Sequence, residues 1–267
     1  MPTDLRLCRS LLFLPASNPR AIEKARGLDA DMIFLDLEDA VKPEDKAAAR
    51  EAAVAAAEKG FGGRPVAIRI NKLGDPWHDA DLEAVKASAA DYAILPKVQN
   101  GREMERVKLR AGKPVLAMIE TAGGVLDSAR IAPFAAGLIA GTNDLSADLG
   151  LPAGGERRGL AHSLQAIVLA ARAAQVAAFD GVYNRLEDSG GLEAECAEGR
   201  AFGFDGKTLI HPNQIAAANR IFGPSEDEVE AARRLVAAAT GGAERFEGRM
   251  IEAMHVEEAR RLIARAS

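Results

Sequence analysis

Residues 114–145 read PVLAMIETAGGVLDSARIAPFAAGLIAGTNDL, and this stretch decides the fold. It contains two short apolar runs, Val115–Ile119 and Gly137–Ala140, each bounded by turn residues. Such runs are typical of strands buried on both faces of a parallel sheet. We predict a helix between them, over residues 122–132. A strand, a helix and a strand of these lengths make a βαβ unit, which places the carboxyl ends of both strands at one edge of the sheet.

Each of these strands is followed by a carboxylate. Glu120 ends the first run, and the second leads through Gly141 and two further residues to Asp144. Two carboxylates at one sheet edge need a cation between them, unless one gives up its charge. Hard oxygen ligands suit Mg²⁺, with Mn²⁺ as the alternative, so we predict one divalent metal on Glu120 and Asp144. The alternative is that both are helix or turn caps, Glu120 for the helix near Ala122 and Asp144 for the turn 144–149.

The alternation of strand and helix continues along the chain. The further predicted strands are 10–14, 31–36, 65–70, 92–95, 177–181 and 206–210. Eight consecutive βα units predict a closed (β/α)₈ TIM barrel, an α/β fold, over residues 1–223. An open doubly wound sheet is disfavoured because no Gly-x-Gly-x-x-Gly follows the first strand. A Gly- and Pro-rich charged loop is predicted over 149–159.

Residues 224–267 are predicted to form a C-terminal helical extension that packs on the barrel or on a neighbouring subunit. It contains two predicted helices, over 226–239 and 255–266, and a short irregular piece at 248–252.

Composition narrows the class of protein. The net charge of −5 gives no support for a nucleic-acid partner. No segment approaches the roughly 20 apolar residues that span a bilayer, so no membrane partner is predicted. The two cysteines form no metal or redox spacing, which makes a cytoplasmic location the default.

Charged side chains occupy several predicted strand ends, where barrel enzymes carry their chemistry. They are Glu38, Asp39, Arg69, Lys97, Glu120, Asp144 and His211. Arg69 suits an anionic substrate because its planar fork pairs with a carboxylate at two points; the alternative is a salt bridge to Glu38 or Asp39. We interpret Glu38 and Asp39 as groups that support the metal site rather than as direct ligands.

The remaining polar residues receive structural interpretations. Lys97 is assigned a structural or electrostatic role, and His211 a hydrogen-bonding one. Asp36 and Asp180 are interpreted as partners of the backbone. The three histidines interpreted as surface residues are His78, His162 and His255.

Seven segments, spanning residues 9–222 in order, resemble one known family. They are RSLLFLP (9–15), LDLEDAV (35–41), RIN (69–71), LPKV (95–98), MIET (118–121), GTNDL (141–145) and GFDGK (203–207) with IHP (210–212). In these the chain resembles the citrate lyase beta subunit-like proteins, within the wider group of malyl-CoA and citramalyl-CoA lyases and HpcH/HpaI aldolases.

The resemblance implies a (β/α)₈ barrel, a homotrimer or hexamer, and Mg²⁺ held by Glu120 and Asp144. It implies that Arg69 and Glu120 contact the substrate, and that backbone amides near Asp144 hold the carboxylate of an oxo acid. The implied reaction cleaves a 3-hydroxyacyl thioester of the citramalyl-, malyl- or citryl-CoA type into an oxo acid and an acetyl thioester, with CoA or an acyl carrier as the thiol.

The sequence departs from the family near its end. Family lyases carry an aspartate in a Gly-x-Met-Val-Asp-like segment that acts on the next subunit, whereas residues 248–252 here are GRMIE, which puts Glu252 at that position. The predicted catalytic residues are therefore Arg69, Glu38, Asp39 and Glu252. Two alternatives stay open: an aldolase that acts on free hydroxy-oxo acids, and a subunit that needs partner chains and a carrier protein.

Overall fold

Eight parallel strands close a barrel in chain order, each hydrogen-bonded to the next and the last to the first. The computed structural model describes residues 4–152 and 157–266. The strands are β1 (Ser10–Pro15), β2 (Met32–Asp36), β3 (Val66–Arg69), β4 (Tyr92–Leu95), β5 (Val115–Ile119), β6 (Gly137–Ala140), β7 (Ala177–Asp180) and β8 (Gly206–Leu209). The predicted TIM barrel is confirmed.

Helices follow the strands and surround the barrel. They are α1 (Pro19–Ala25), α2 (Lys46–Lys59), α3 (His78–Ala87), α4 (Gly101–Ala111), α5 (Ala122–Leu126), α6 (Ser128–Ile131), α7 (Thr142–Asp148), α8 (Ala161–Ala173), α9 (Ser189–Phe202), α10 (Ile215–Phe222), α11 (Glu226–Ala238) and α12 (Ala253–Arg265). No helix in the described part of the chain is long and apolar enough to cross a membrane.

Alternate strand residues enter two different apolar layers. Leu12, Ile33 and Ile68 belong to a large cluster that includes helix residues and therefore lies between sheet and helices. Phe34 and Met118 belong to a second cluster built almost wholly from strand residues, which fills the barrel. Because strand side chains alternate, a residue two positions after an inward-facing one also faces inward. This rule predicts which polar side chains at the strand ends face the barrel interior.

The predicted single helix over residues 122–132 is wrong. The chain forms α5, α6 and a 3₁₀ turn at Ala132–Phe134. The break lies at Asp127, whose carboxylate accepts the N–H of Gly101 at 2.8 Å instead of supporting a continuous helix. Two glycines in α5 weaken helix propensity, and Gly124 packs so closely that an added Cβ would lie 2.4 Å from the Val98 carbonyl oxygen.

The irregular piece predicted at 248–252 is also partly wrong. Arg249–Ile251 forms strand β10, which pairs antiparallel with β9 (Glu244–Phe246). The two-residue connection, Glu247 and Gly248, has positive φ at both positions, as the tightest hairpin turns require. At the other end of the extension, the Arg265 guanidinium donates to the backbone oxygens of Asp205 and Phe222.

Residues 1–3, 153–156 and 267 lie outside the described residues. They include the first residue of the predicted barrel domain, the last of the predicted extension, and part of the predicted loop 149–159. The division of the chain at residue 223 stays a prediction.

A buried group of charges lies between β7, β8 and α9. The ammonium of Lys207 donates to Asp180 at 3.0 Å and to Glu195 at 2.7 Å, and Arg157 donates to Asp180 at 2.7 Å. We call Asp180, Lys207, Glu195 and Arg157 the outer cluster, because Asp180 and Lys207 alternate with inward-facing neighbours and point toward the helices. The prediction that Asp180 only serves the backbone is wrong: it accepts one backbone N–H, from Gly181, and two ionic partners.

Candidate active site

Strand register brings three polar side chains to the carboxyl end of the barrel interior. Asp36 and Arg69 are direct neighbours across the β2–β3 ladder. Asp36 lies two residues after the inward-facing Phe34, and Glu120 lies two residues after the inward-facing Met118. All three line one cavity of about 490 Å³. The strand ends therefore converge as the sequence predicted.

Asp36 and Arg69 form a bidentate ion pair inside the barrel. The Arg69 Nε and Nη2 donate to the two Asp36 oxygens, each at 2.6 Å. Burial raises the pKa of Asp36, but the guanidinium and its hydrogen bonds outweigh burial and lower this pKa below its ordinary value. Asp36 also accepts the N–H of Glu38, so its predicted role as a backbone partner is incomplete.

The Nη1 of Arg69 makes further contacts. It forms an ion pair with Glu38 Oε2 at 3.2 Å and a long contact of 3.7 Å with the Met118 sulfur. The Asp39 carboxylate is 3.9 Å away, so the predicted alternative of a salt bridge to Glu38 or Asp39 is present, beside the shorter pair with Asp36. The guanidinium also lies over the Phe13 ring, 4.9 Å from its centre. Ring and carboxylates together fix the guanidinium at the wall of the cavity.

Glu120 is buried, and its surroundings disfavour the ionised form of its carboxyl group. Its Oε1 accepts the N–H of Lys97 at 2.7 Å. Burial, with the charges of Glu38 and Asp144, raises the pKa of Glu120 to about 8. Gly141 allows this position, because a Cβ there would lie 2.4 Å from Glu120 Oε2. A buried carboxyl with such a pKa, facing a cavity, is a mark of a functional site.

Asp144 stands in the first turn of α7 and lines the same cavity. Both capping alternatives are wrong. Thr121 caps α5 through a hydrogen bond from Gly124, so Glu120 does not. Gly141 is the N-cap of α7, and no side chain caps this helix. Asp144 is therefore free to bind a ligand, and the predicted turn at 144–149 is a helix.

The residues present fit a divalent metal. The charge of Asp144 raises the pKa of Glu120, and a cation between the two carboxylates would offset this repulsion. Magnesium is usually bound by one or two carboxylates, with water and substrate oxygens completing its shell. Within residues 4–152 and 157–266, no three acidic, histidine or cysteine side chains converge on one metal position. The donor set is thus a two-carboxylate site that leaves room for substrate.

Glu38 forms an ion pair with Lys97. The Lys97 ammonium donates to Glu38 Oε1 at 2.6 Å, while Glu38 Oε2 is buried with no hydrogen-bond partner. Burial raises the pKa of Glu38 above its ordinary value. Asp39, the next residue, is more than half exposed and lines the cavity.

Sequence reasoning missed the network that supports this edge of the site. The buried Lys46 ammonium donates to the backbone oxygens of Leu37 and Glu38 and to Asn71 Oδ1, at 2.6–2.7 Å. His78 Nδ1 donates to the Asn71 carbonyl oxygen, 2.8 Å away, and the residue is buried, so its prediction as a surface residue is wrong. His162 is exposed and His255 is half-buried. The available signal was Asn71, the asparagine two residues after the end of β3.

Two predicted residues lie elsewhere. Glu252 precedes α12, is exposed, and is not part of the cavity lining of its own chain. His211 begins the 3₁₀ turn Pro212–Gln214, where its Nδ1 accepts an N–H from Asn213. The cavity is lined by Phe13, Leu14, Pro15, Asp36, Asp39, Ala40, Arg69, Met118, Glu120, Ala140, Gly141, Thr142, Asn143, Asp144, Val182, Thr208 and Ile210.

Comparisons with known proteins agree with this geometry. Residues 158–267 match a family model described as C-C bond lyase of the TIM-barrel fold. The (3S)-malyl-CoA thioesterase of Cereibacter sphaeroides KD131 is 42% identical, covering 97% of this chain and 94% of the relative. The citrate lyase subunit beta of Leuconostoc mesenteroides subsp. cremoris is 33% identical, covering 87% and 82%.

Among solved structures, CitE from Mycobacterium tuberculosis, in complex with magnesium, acetoacetate and coenzyme A, superimposes with a TM-score of 0.83. It is 34% identical, over 98% of this chain and 99% of that one. Residues 9–212 match the family model described as HpcH/HpaI aldolase/citrate lyase. This chain therefore belongs to the HpcH/HpaI aldolase/citrate lyase family.

Proposed function

We propose that this protein is a Mg²⁺-dependent carbon–carbon lyase that cleaves a 3-hydroxyacyl thioester into a 2-oxo acid and an acetyl thioester. The observation that carries the proposal is the presence, in one cavity, of the Arg69 guanidinium and the Glu120 and Asp144 carboxylates, with the pKa of Glu120 raised by burial and by its acidic neighbours. An anionic hydroxy acid complements both features. The magnesium, acetoacetate and coenzyme A in the similar CitE structure support the same choice of ligands.

Each residue has a proposed role. Glu120 and Asp144 hold the metal, which when bound supplies Lewis-acid polarisation of the oxygen that becomes the carbonyl. Arg69 Nη1 binds the substrate carboxylate or this oxygen, with Asp36 holding the guanidinium in place. The uncapped amides in the first turn of α7 line the cavity and face the substrate carboxylate.

The proton balance assigns the remaining acids. The substrate hydroxyl loses its proton to Asp39, which lines the cavity, with Glu38 behind it. The carbon–carbon bond then breaks, and its electron pair leaves on the thioester as an enolate. Glu252 of a neighbouring subunit protonates the enolate carbon to give the acetyl thioester. This role needs a homotrimer or hexamer, since Glu252 does not line the cavity of its own chain. A cytoplasmic location completes the proposal and accords with two free, buried cysteines.

Thioester hydrolysis is the second candidate function. Its support is specific: the curated relatives at 41–42% identity are named (3S)-malyl-CoA thioesterases. It would also be consistent with the glutamate at position 252, because hydrolysis needs a proton on the leaving sulfur rather than on an enolate carbon.

One assay separates the candidates. Malyl-CoA, citramalyl-CoA and citryl-CoA are each offered with Mg²⁺ or with a chelator, and both the 2-oxo acid and free thiol are measured. A lyase releases oxo acid and acetyl-CoA without free thiol, whereas a thioesterase releases free thiol and no oxo acid. Metal-dependent release of oxo acid is the expected result. If only free hydroxy-oxo acids react, the protein is an aldolase. Activity that appears only with added partner chains would make it a subunit of a complex.

A further inference from the structure

Lys97 contacts two of the site's carboxylates in two different ways. It follows Pro96 at the end of β4 and has a φ of 53°, a left-handed conformation that a side chain-bearing residue rarely adopts. This conformation directs its backbone N–H to Glu120 Oε1, at 2.7 Å. Strain of this kind persists only where the surroundings impose it, and it often marks a functional position.

The side chain of Lys97 reaches acids that follow β2 and β6, each two strands away from β4. Its ammonium lies 2.6 Å from Glu38 Oε1, 3.3 Å from Asp39 Oδ1 and 3.8 Å from Asp144 Oδ2. About a quarter of the side chain is exposed, so the charge is only partly screened by water. One ammonium is therefore shared by acids from two segments at the carboxyl end of the barrel.

The ammonium of Lys97 matters because carboxylates outnumber cations at the mouth of the cavity. Arg69 is bound to Asp36 by two hydrogen bonds and also lies 3.2 Å from Glu38. Among the described residues, Lys97 is the second cation that acts on Glu38 and Glu120, and it also pairs with Asp39 and Asp144. A divalent cation on Glu120 and Asp144 would lie close to this ammonium and would compete with it for Asp144.

We infer that Lys97 is a positioning residue that weakens metal binding: it holds Glu38 away from the metal and shares Asp144 with it. The inference rests on the proposed metal site at Glu120 and Asp144. Its chemical consequence is a metal with only two protein carboxylates. Coordination positions then stay open for the hydroxyl and carboxylate oxygens of the substrate. A third carboxylate would tighten metal binding and close one of these positions.

The test is Mn²⁺ binding to the metal-free protein without substrate, measured by calorimetry. In Lys97→Met, which keeps the backbone N–H, we expect Mn²⁺ to bind about tenfold tighter, because a positive charge leaves and Glu38 becomes available as a ligand. Lys97→Gly, which also relieves the positive φ, should show the same tightening. Lys97→Arg, which keeps the charge, should not. Lys72→Met is the matched control, since it removes an exposed ammonium after the neighbouring strand and should leave affinity unchanged.

The outcomes separate the inference from the proposed metal site. A merely structural lysine predicts weaker Mn²⁺ binding in every Lys97 variant. Unchanged or weaker binding in Lys97→Met and Lys97→Gly, with normal binding in the wild type, overturns the inference alone. A wild type that binds no Mn²⁺ overturns the metal site and the inference together. Thermal melts confirm that each variant is folded.

Discussion

The molecule contains two buried clusters of charge that differ in how well their members are matched. In the outer cluster, the three Lys207 donors meet three acceptors: Asp180, Glu195 and the Gly181 carbonyl oxygen. Burial raises the pKa of Asp180, but Lys207 and Arg157 outweigh it and lower this pKa below its ordinary value. The ion pairs of this cluster therefore stabilise the packing of β7, β8 and α9.

The inner cluster, which comprises Asp36, Arg69, Glu38, Lys97 and Glu120, is matched only in part. Glu38 Oε2 meets Arg69 Nη1 as an ion pair at 3.2 Å without a hydrogen bond, and the pKa of Glu120 is raised to about 8. In the outer cluster the cations outweigh burial at Asp180, whereas Arg69 and Lys97 do not outweigh burial and the neighbouring carboxylates at Glu120. The comparison teaches that the balance of charge around a buried carboxylate, rather than its burial, distinguishes the site from the scaffold.

The largest expected effect on turnover is that of Glu120→Gln, a substitution in the inner cluster. Metal-dependent turnover should fall at least about 10³-fold, because a metal ligand is lost. The metal-free protein should become more stable at pH 8, since a costly buried charge is removed. Turnover with Mg²⁺, Mn²⁺ calorimetry and urea unfolding measure the three quantities. Glu105→Gln, on the exposed face of α4, is the control. Turnover within tenfold of the wild type would contradict the metal assignment.

Lys207→Met should lower the stability of the protein and leave its metal binding unchanged. Removing the ammonium leaves the fully buried Asp180 and the partly buried Glu195 with one fewer cation, which should lower the free energy of unfolding by about 3–5 kcal/mol. Mn²⁺ affinity of the folded protein should stay unchanged. Urea midpoints measure the loss. The control is Lys59→Met, which breaks an exposed ion pair of similar length to Glu23 and should change stability little. A loss of metal binding without a loss of stability would show that the two clusters are not separate.

The pH dependence of stability should also separate the clusters. Glu120 has a pKa of about 8 in the folded protein, above its ordinary value of 4.5, so the folded state binds more protons than the unfolded state between these pH values. Its contribution to stability is therefore full at low pH and is lost as pH rises toward 8, by at most about 1.4 kcal/mol per pH unit. Urea unfolding in chelator across this range, as the difference between wild type and Glu120→Gln, measures it. A flat difference would contradict the shifted pKa.

The smallest expected effect concerns Glu252, which belongs to neither cluster. Glu252→Gln should lower turnover about fivefold, below the 10²–10⁴-fold usual for a well-placed general acid, because the longer side chain places its carboxyl less favourably. Mn²⁺ affinity should not change. Mixed oligomers of Glu252→Gln and Glu120→Gln chains serve as the complement, since a shared site predicts partial recovery of activity. Unchanged turnover in Glu252→Gln would remove this residue from the mechanism.

Much of the fold followed from local pattern. The runs at 92–95, 115–119 and 137–140 were predicted with the bounds that the structure shows, because buried strands leave short apolar segments between turn residues. The helix at 122–132 was not, since its interruption depends on Asp127 binding Gly101, which lies 26 residues earlier. The hairpin at Glu247 and Gly248 was not predicted, because only Gly248 is a residue that readily takes the positive φ that both turn positions need.

The sequence by itself determined that this chain is a (β/α)₈ barrel with charged residues at its strand ends, because alternation and strand length are local properties. Its motifs also carried the resemblance to the citrate lyase beta subunit-like proteins. Only the tertiary structure decided how these charges pair. Asp36 meets Arg69 across 33 residues, and Lys97 meets Glu38 across 59. Strand register and barrel closure bring these residues together although they are far apart in the sequence. The pKa of Glu120 depends on all its neighbours together. Pairing, burial and pKa are therefore properties of the closed barrel, and no segment contains them alone.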